Sequence, residues 1–426
     1  MQKRTIFSVQ DAVKKVMDYS KTGEIEIVSI EESDGRFLAE DLIADHPVPP
    51  FDRSPYDGFA IRAEDSKLAS SENPLQFEVI DEIGAGSVSE KKVGSRQAIR
   101  IMTGAQIPDG SDAVVMLELT SSITKNGQTF MSIKRAYKQG DNISFKGEDT
   151  KKGTVLVKKG MFINPGMIAL LATFGYSKVS VAKKPVVGLI ATGSELLEVD
   201  ERLVPGKIRN SNSYMIQSQL KRSGAEPLYL GKLSDDFDQC FSAVEAALKK
   251  VDLLITTGGV SVGDYDFLPA IYEKLGANVL FNKIGMRPGS VTTVAEKNGK
   301  LLFGLSGNPS ACYVGFELLV RPVVRTYLFS EQPHLFKTTA QLKSDFPKAN
   351  PFTRFVRGSL VFKEGNLFAA PVGLDKSNVV TSLAGTNILI VLPGGTRGYQ
   401  AGMNVDVILL EDQAGSVWPW QEYSKS

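Results

Sequence analysis

VVGLIATGSE at 186–195 and VDLLITTGGVSVGDYDF at 251–267 decide the fold of this chain. Each opens with a continuous apolar run and then breaks into glycine, hydroxyl and acidic residues. A run apolar at every position reads as a strand buried on both faces, the state of a parallel sheet covered by helices. The intervening and following sequence alternates accordingly. A helix over 210–223 is stopped by Gly224, and a strand follows at 227–230. A second helix over 236–250 carries Phe237, Phe241, Val244, Leu248 and Val251 on one face. A helix over 269–275 ends before Gly276, strands read at 279–282, 291–294 and 301–305, and a long helix runs over 309–328. This alternation predicts a parallel α/β sheet with helices on both faces.

Outward from this region the pattern changes. After 331, short strands at 355–362, 367–370, 388–392 and 405–410 are separated by glycine turns, which fits a small barrel or sandwich. Residues 45–145 hold short β-rich runs such as 76–80 and 113–116 between glycine and polar clusters. The first twenty residues read as a helix: Ser8 caps it, Asp11 lies three residues on, and Val9, Val13, Val16 and Met17 form one stripe. A strand is expected at 26–30 and another at 154–157. A helix after Pro165 is closed by Gly175. For 426 residues, two to four domains are expected at roughly 150 residues each.

Composition removes several function classes. Lys+Arg 49 against Asp+Glu 48 leaves a formal charge of +1, so no global basic field recruits nucleic acid or an anionic membrane. No apolar run reaches membrane-spanning length, the start MQKRTIF lacks a signal-peptide core, and a cytoplasmic location is expected. The two cysteines, Cys240 and Cys312, sit in unrelated helical contexts and exclude a disulfide framework or a cysteine zinc site; both read as packing residues. The two histidines, His46 and His334, exclude a multi-histidine metal site. Any chemistry must come from carboxylates, Lys and Arg, hydroxyls and backbone N–H groups.

In an α/β sheet, ligands bind beyond the carboxyl ends of the strands. Here those ends carry Thr192-Gly193-Ser194-Glu195, then Gly258-Gly259-Val260-Ser261-Val262-Gly263-Asp264-Tyr265-Asp266, then Ser306-Gly307-Asn308-Pro309-Ser310. Glycines let backbone N–H groups approach an anion, and hydroxyls add donors. Neither a Walker A loop nor a dinucleotide GxGxxG is present. A tight turn or a helix cap is the alternative reading of each loop, the 258–266 loop carrying more acids and hydroxyls than a turn needs; Asp235 or Asp236 at a helix start is more simply a cap. Lys283 and Arg287, four apart around a Pro-Gly turn, can hold an oxyanion. Glu195, Asp235, Asp236, Asp264 and Asp266 supply hard oxygen atoms suited to Mg²⁺ bridged to phosphate. In the β-rich region, PPFDRSPYDGFA at 49–60 can present Asp57 into a cleft, and 101–108 and 141–149 are further polar glycine turns.

Taken together, PPFDRSPYDGFA, IMTGAQIPDGSDAVV, the GED at 147–149, ATGSEL, GKIRNSN, TTGGVSVGDYDF, KIGMRPG and SGNPSA occur in one family's order over 45–325. The chain resembles the MoeA family of molybdopterin molybdenumtransferases, related to the E domain of gephyrin. The resemblance implies four parts: a discontinuous linking domain (1–44 and 147–180), a β-rich lid (45–146), an α/β molybdopterin-binding domain (181–328) and a C-terminal β-barrel (329–426). It implies an elongated protomer and a homodimer whose cleft is shared between the α/β domain of one copy and the lid of the other. The implied reaction inserts molybdate into adenylylated molybdopterin with Mg²⁺-assisted release of AMP, alongside other cofactor-biosynthesis proteins. Asp57, Asp236, Asp266, Lys283 and Arg287 match catalytic positions of the family. Thr103, Asp149, Thr192, Gly193, Ser194, Gly258, Gly259, Ser261, Gly263, Ser306, Gly307, Asn308 and Ser310 match substrate-binding positions, and Glu195 and Asp264 match metal-binding ones.

Three departures stand out: Ser144 where the family often has Arg, Ser290-Val291 where it often has Lys-Pro, and Ser306 where it often has Pro. Two lost cations predict weaker anion binding. They leave a non-catalytic pterin-binding or scaffold protein as an alternative. Adenylylation of molybdopterin, as in MogA-like proteins, is a further one, against which the lid and C-terminal regions argue.

Overall fold

The computed structural model describes residues 5–233, 236–258, 268–348 and 351–410. It divides into two compact units: Met1–Glu40 with Lys159–Ile168 and Lys178–Ser426, and Asp41–Lys158 with Ala169–Ser177.

The first unit is built on a six-stranded sheet. In spatial order its strands are Glu226–Leu233, Val186–Thr192, Leu253–Thr257, Lys300–Leu305, Thr293–Lys297 and Asn278–Phe281. Val187, Leu189 and Ile255 face one core with Ile216 and Leu220 of the helix Ser211–Ser223 and with the helical stretch after 309. Ile190 and Leu254 face the other, with Cys240 and Val244 of the helix Phe237–Leu248 and Ile271 of the helix Leu268–Lys274. Both cysteines are buried, as expected of packing residues. Alternate side chains of one strand thus feed two cores, which is why the runs are apolar throughout.

Two expectations need correction. The sheet is not wholly parallel: Thr293–Lys297 runs antiparallel to both neighbours. Asn298 (φ 52°) and Gly299 (φ 74°) close a two-residue hairpin onto Lys300–Leu305. Such a turn joins antiparallel strands and demands positive φ at both positions, which Asn-Gly supplies cheaply. The long helix is also not regular. Pro309–Gly315 and Arg321–Tyr327 are α-helical, and Phe316–Val320 between them is a π-helical segment. Pro322 has no N–H to offer the carbonyl of Leu318, so the α pattern widens there.

The choice between barrel and sandwich resolves as a closed barrel. Thr353–Lys363 pairs with Asn366–Pro371 and with Ile388–Leu392, and Lys337–Leu342 and Asn404–Leu409 complete the ring. Lys337–Leu342 is a strand that the sequence pattern does not reveal. Its burial alternates over a polar sequence, KTTAQL, so few apolar residues mark it. Met286–Arg287 adds to the barrel strand Thr353–Lys363, tying the 283–290 loop to it.

The N-terminal helix Val9–Met17 starts as read: Ser8 accepts from the Asp11 N–H at 3.1 Å and donates to its carboxylate at 2.7 Å. Ile25–Ser29 pairs antiparallel with Lys178–Ala182, so distant stretches of sequence share one ribbon.

The second unit holds another six-stranded mixed sheet, with spatial order Ala113–Met116, Gly58–Ile61, Gln97–Ile101, Leu75–Ile83, Gln128–Ile133 and Thr120–Lys125. Phe59, Phe77, Met131 and Ile133 form one of its cores. Asn126-Gly127, with φ of 50° and 80°, repeats the hairpin device of Asn298-Gly299. Leu42–Ile43 pairs with Val155–Val157 in a separate two-stranded ribbon.

Candidate active site

In the first unit three strand ends converge. Thr192 Oγ1 donates to the Thr257 carbonyl at 3.2 Å, and the Gly258 N–H donates to the Leu305 carbonyl at 3.1 Å. Gly258 has φ 87°, and a Cβ there would lie 2.4 Å from the Thr192 carbonyl oxygen. No side chain fits, so backbone meets backbone at this edge. A Cβ on Gly307 would stand 3.6 Å from the Cα of Gly258, placing the 306–308 turn against the same point. Gly259, Ser261, Gly263, Asp264 and Asp266 lie outside the described residues, as does Asp235.

The 192–195 turn is clamped by a segment downstream. The Gly193 N–H donates to the Leu233 carbonyl, the Ile208 N–H to the Glu195 carbonyl at 2.9 Å, and Lys207 Nζ to the Ser194 carbonyl at 2.6 Å. Glu195 is exposed, with its carboxylate folded against Gly193, where a Cβ would come within 2.5 Å of it. Asn210 caps the helix Ser211–Ser223: its Oδ1 accepts from the Ser213 N–H, and its Nδ2 donates to Tyr229 Oη at 3.0 Å. Tyr229 in turn donates to Glu198 at 2.8 Å; burial and that carboxylate push its phenol up to about 12. Asn212, buried at 7% exposure, donates from Nδ2 to the Gly307 carbonyl at 2.8 Å.

Asp236 stands as the N-cap of Phe237–Leu248, accepting from the Gln239 N–H at 2.8 Å, so one carboxylate oxygen serves the helix. Asn308 occupies the N-cap position of the helix Pro309–Gly315 without a side-chain cap bond, and Ser306 Oγ accepts its N–H at 3.2 Å. Ser310 is fully buried. Its N–H donates to the Ser377 carbonyl and its hydroxyl to the Val379 carbonyl at 2.6 Å. The 374–382 loop that reaches it is held by Asp375, which pairs with Arg354 and, at 3.0 Å, with the fully buried Arg357. The sequence does not signal this link, because nothing in the barrel sequence marks which loop faces the helix.

The 283–290 stretch lies beside the same helix: a Cβ on Gly289 would stand 3.4 Å from the Ala311 carbonyl. Arg287 is exposed, with its guanidinium 6.0 Å from the centre of the Phe352 ring, and Lys283 is half-buried. Among the described residues, no three His, Cys, Asp or Glu side chains cluster to hold a metal. Mg²⁺ is usually held by one or two carboxylates together with substrate phosphates. The exposed Glu195, at the strand end, fits that requirement.

In the second unit the three polar turns flagged separately in the sequence form one cluster. Arg53 and Ser144 exchange backbone hydrogen bonds at 3.0 and 2.9 Å, and Ser54 donates its N–H to the Ala105 carbonyl. Asp52 accepts the Lys146 N–H at 2.7 Å, and the Asp149 N–H donates to the Val48 carbonyl. Asp57 is exposed and aligned: Oδ1 accepts from both the N–H and the hydroxyl of Thr103 at 2.7 Å. The Thr103 N–H first, then its hydroxyl, hold the carboxyl below its ordinary range. Ser144 donates to Glu148 at 2.8 Å.

Comparison with known proteins agrees with this architecture along the chain. The model of the MoeA N-terminal region (domain I and II) matches residues 7–175. That of a "probable molybdopterin binding domain" matches 188–326, and that of the MoeA C-terminal region (domain IV) matches 339–410. A molybdopterin molybdenumtransferase of Bacillus subtilis (strain 168) is 63% identical over 426 residues, covering 100% of this chain and 99% of that one. One of Staphylococcus epidermidis is 51% identical over 97% of this chain and 98% of its own. The crystal structure of a molybdopterin biosynthesis moeA protein from Pyrococcus horikoshii OT3 superposes with TM-score 0.81 at 31% identity, over 95% of this chain and 100% of that one.

Proposed function

This chain belongs to the MoeA family, and from that premise we propose that its strand-end site inserts molybdate into adenylylated molybdopterin and releases AMP. The activity is that of a molybdopterin molybdenumtransferase, a transferase of molybdenum cofactor biosynthesis. The observation that supports the site assignment is the convergence of Thr192, Gly258 and Gly307 at one sheet edge, where backbone packs on backbone without side chains between.

In this reading Thr192, Gly193, Ser194, Gly258, Ser306, Gly307 and Asn308 hold the pterin and its phosphate. Gly259, Ser261, Gly263 and Asp266 keep the roles implied by the family resemblance. Lys283 and Arg287 hold molybdate through charge-assisted contacts. Ser310, whose polar groups serve the barrel loop, acts by fixing the first turn of its helix. Glu195, with Asp264, would hold Mg²⁺, which supplies charge neutralisation at the phosphates when bound. Asp236 contributes the oxygen its cap leaves over.

The reading includes the four-part division at 44, 146, 180 and 328, and a homodimer in which Asp57, Thr103 and Asp149 of one copy complete the site of the other. Apolar side chains exposed on the linking ribbon, Ile25 and Ile27 (68% exposed), and Phe162 nearby in the chain's first unit, support burial against a second copy. Among the described residues no helix is long and apolar enough to cross a membrane.

Purified protein given adenylylated molybdopterin, Mg²⁺ and molybdate is expected to release AMP well above a blank. Retained pterin binding without AMP release would replace the insertase by a pterin-binding scaffold.

A further inference from the structure

Helix Ser211–Ser223 begins with two asparagines where capping needs one. Asn210 performs the cap and is saturated: its carboxamide engages the Ser213 N–H, the Ser213 hydroxyl and the Tyr229 hydroxyl. Asn212 has no capping use. Only 7% of it is exposed, its Nδ2 is committed to the Gly307 carbonyl, and its Oδ1 is buried with no hydrogen-bond partner. A buried acceptor without a donor is costly, and a fold that keeps one requires an explanation.

Its position supplies one. Asn212 holds the 306–308 turn through Gly307, Gly307 abuts Gly258, and Gly258 abuts the Thr192 carbonyl. The orphan oxygen therefore belongs to the same strand-end convergence. A carboxamide oxygen repels phosphate and molybdate oxygens, so its complement is the N–H-bearing part of a ligand, not the anionic part.

We propose that Asn212 is a substrate-binding residue of this site. Nδ2 fixes the Gly307 carbonyl, and Oδ1 accepts a hydrogen bond from the 2-amino group of the pterin ring. The oxygen is buried in this structure, so binding requires the turns at Gly258 and Gly307 to move aside from it. This inference rests on reading the site as a pterin site and adds the donor it recognises.

The test uses the full-length protein and three probes: pterin, lumazine (which has a carbonyl in place of the 2-amino group) and AMP. Affinities are measured by calorimetry or fluorescence. The native chain should prefer pterin to lumazine by about tenfold or more, because a site built for a donor rejects the analogue lacking it. Asn212→Ala should reduce that preference to about threefold or less, whatever loss of AMP affinity follows from releasing Gly307. If Asn212 only pins Gly307, Asn212→Ala weakens pterin, lumazine and AMP alike and the preference survives, which overturns the proposal. Should Asn212→Ala bind poorly overall, the pterin-to-lumazine ratio still decides. A native chain that binds AMP but shows no preference for pterin overturns the donor assignment alone, whereas one that binds none of the probes overturns the site reading with it.

Discussion

Asp57 in the second unit and Gly258 in the first show how single residues shape the two candidate clusters. Asp57 is legible as a candidate because PPFDRSPYDGFA is too rich in Pro and Asp for a strand and too apolar for a solvated loop. Its partner Thr103 lies 46 residues away, and only the fold could pair them. Because hydrogen bonds lower the Asp57 pKa in the folded chain, their stabilisation is present above the unfolded value and lost as pH falls through the folded one. Thr103→Val removes the hydroxyl donor. The Asp57 carboxyl should then titrate at higher pH by NMR, and the acid limb of the activity profile should move up with it. Gly258→Ala forces a Cβ to 2.4 Å from the Thr192 carbonyl at φ 87°. It should cost about 1–3 kcal/mol in denaturant unfolding, the scale of a strained backbone position, and impair substrate binding beyond that. Asn212 is not legible as a site residue. It closes the GKIRNSN stretch at 206–212 that carries part of the family resemblance, but that stretch assigns it no role, and its orphaned oxygen shows only in the fold.

At the scale of elements, apolar pattern is a good guide to strands buried on both faces and a poor guide to those at the barrel surface. The strand Val186–Thr192 and the strand Leu253–Thr257 are visible because both of their faces meet helices. The barrel strand Lys337–Leu342 is not, since half its residues face solvent in a polar sequence. The hairpins at Asn126-Gly127 and Asn298-Gly299 follow a known turn preference, and only the second makes the α/β sheet mixed. The contact of the 374–382 loop with Ser310 is a tertiary fact without a sequence trace. It rests on Asp375, whose largely buried carboxylate lies within ion-pair range of Arg354, Arg357 and Lys348. Burial pulls the Arg357 guanidinium down from its ordinary value, and Asp375 opposes that shift. Asp375→Ala would leave buried guanidinium groups unpaired, a change that costs about 3–5 kcal/mol in comparable pairs. A fall in the thermal midpoint, accompanied by weaker molybdate-dependent AMP release as Ser310 loses its partners, is the expected outcome. An unchanged midpoint would show that the clamp contributes little.

For the whole molecule, the near-zero net charge is a sum of opposed local groups. Lys283 and Arg287 lie on one loop, and Glu195 and Asp236 on two others. The scarcity of histidine makes pH behaviour traceable. Burial holds the His334 imidazole below its ordinary value of 6.5, so the folded chain takes up fewer protons there than the unfolded chain. Stability should fall as pH drops below about 6.5, and His334→Gln should flatten the dependence of the thermal midpoint between pH 7 and 5. The two copies proposed to share each site can be counted by light scattering; a strict monomer with full activity would remove the shared cleft.

The central claim is insertion of the metal itself. Its most direct measurement combines the purified chain with adenylylated molybdopterin, Mg²⁺ and molybdate, then adds a cofactor-free molybdenum enzyme and records the activity gained. The account predicts molybdate-dependent reconstitution that appears together with AMP and is lost in Arg287→Ala combined with Lys283→Ala. Reconstitution that proceeds equally without this chain, or AMP release that never yields active cofactor, would contradict it.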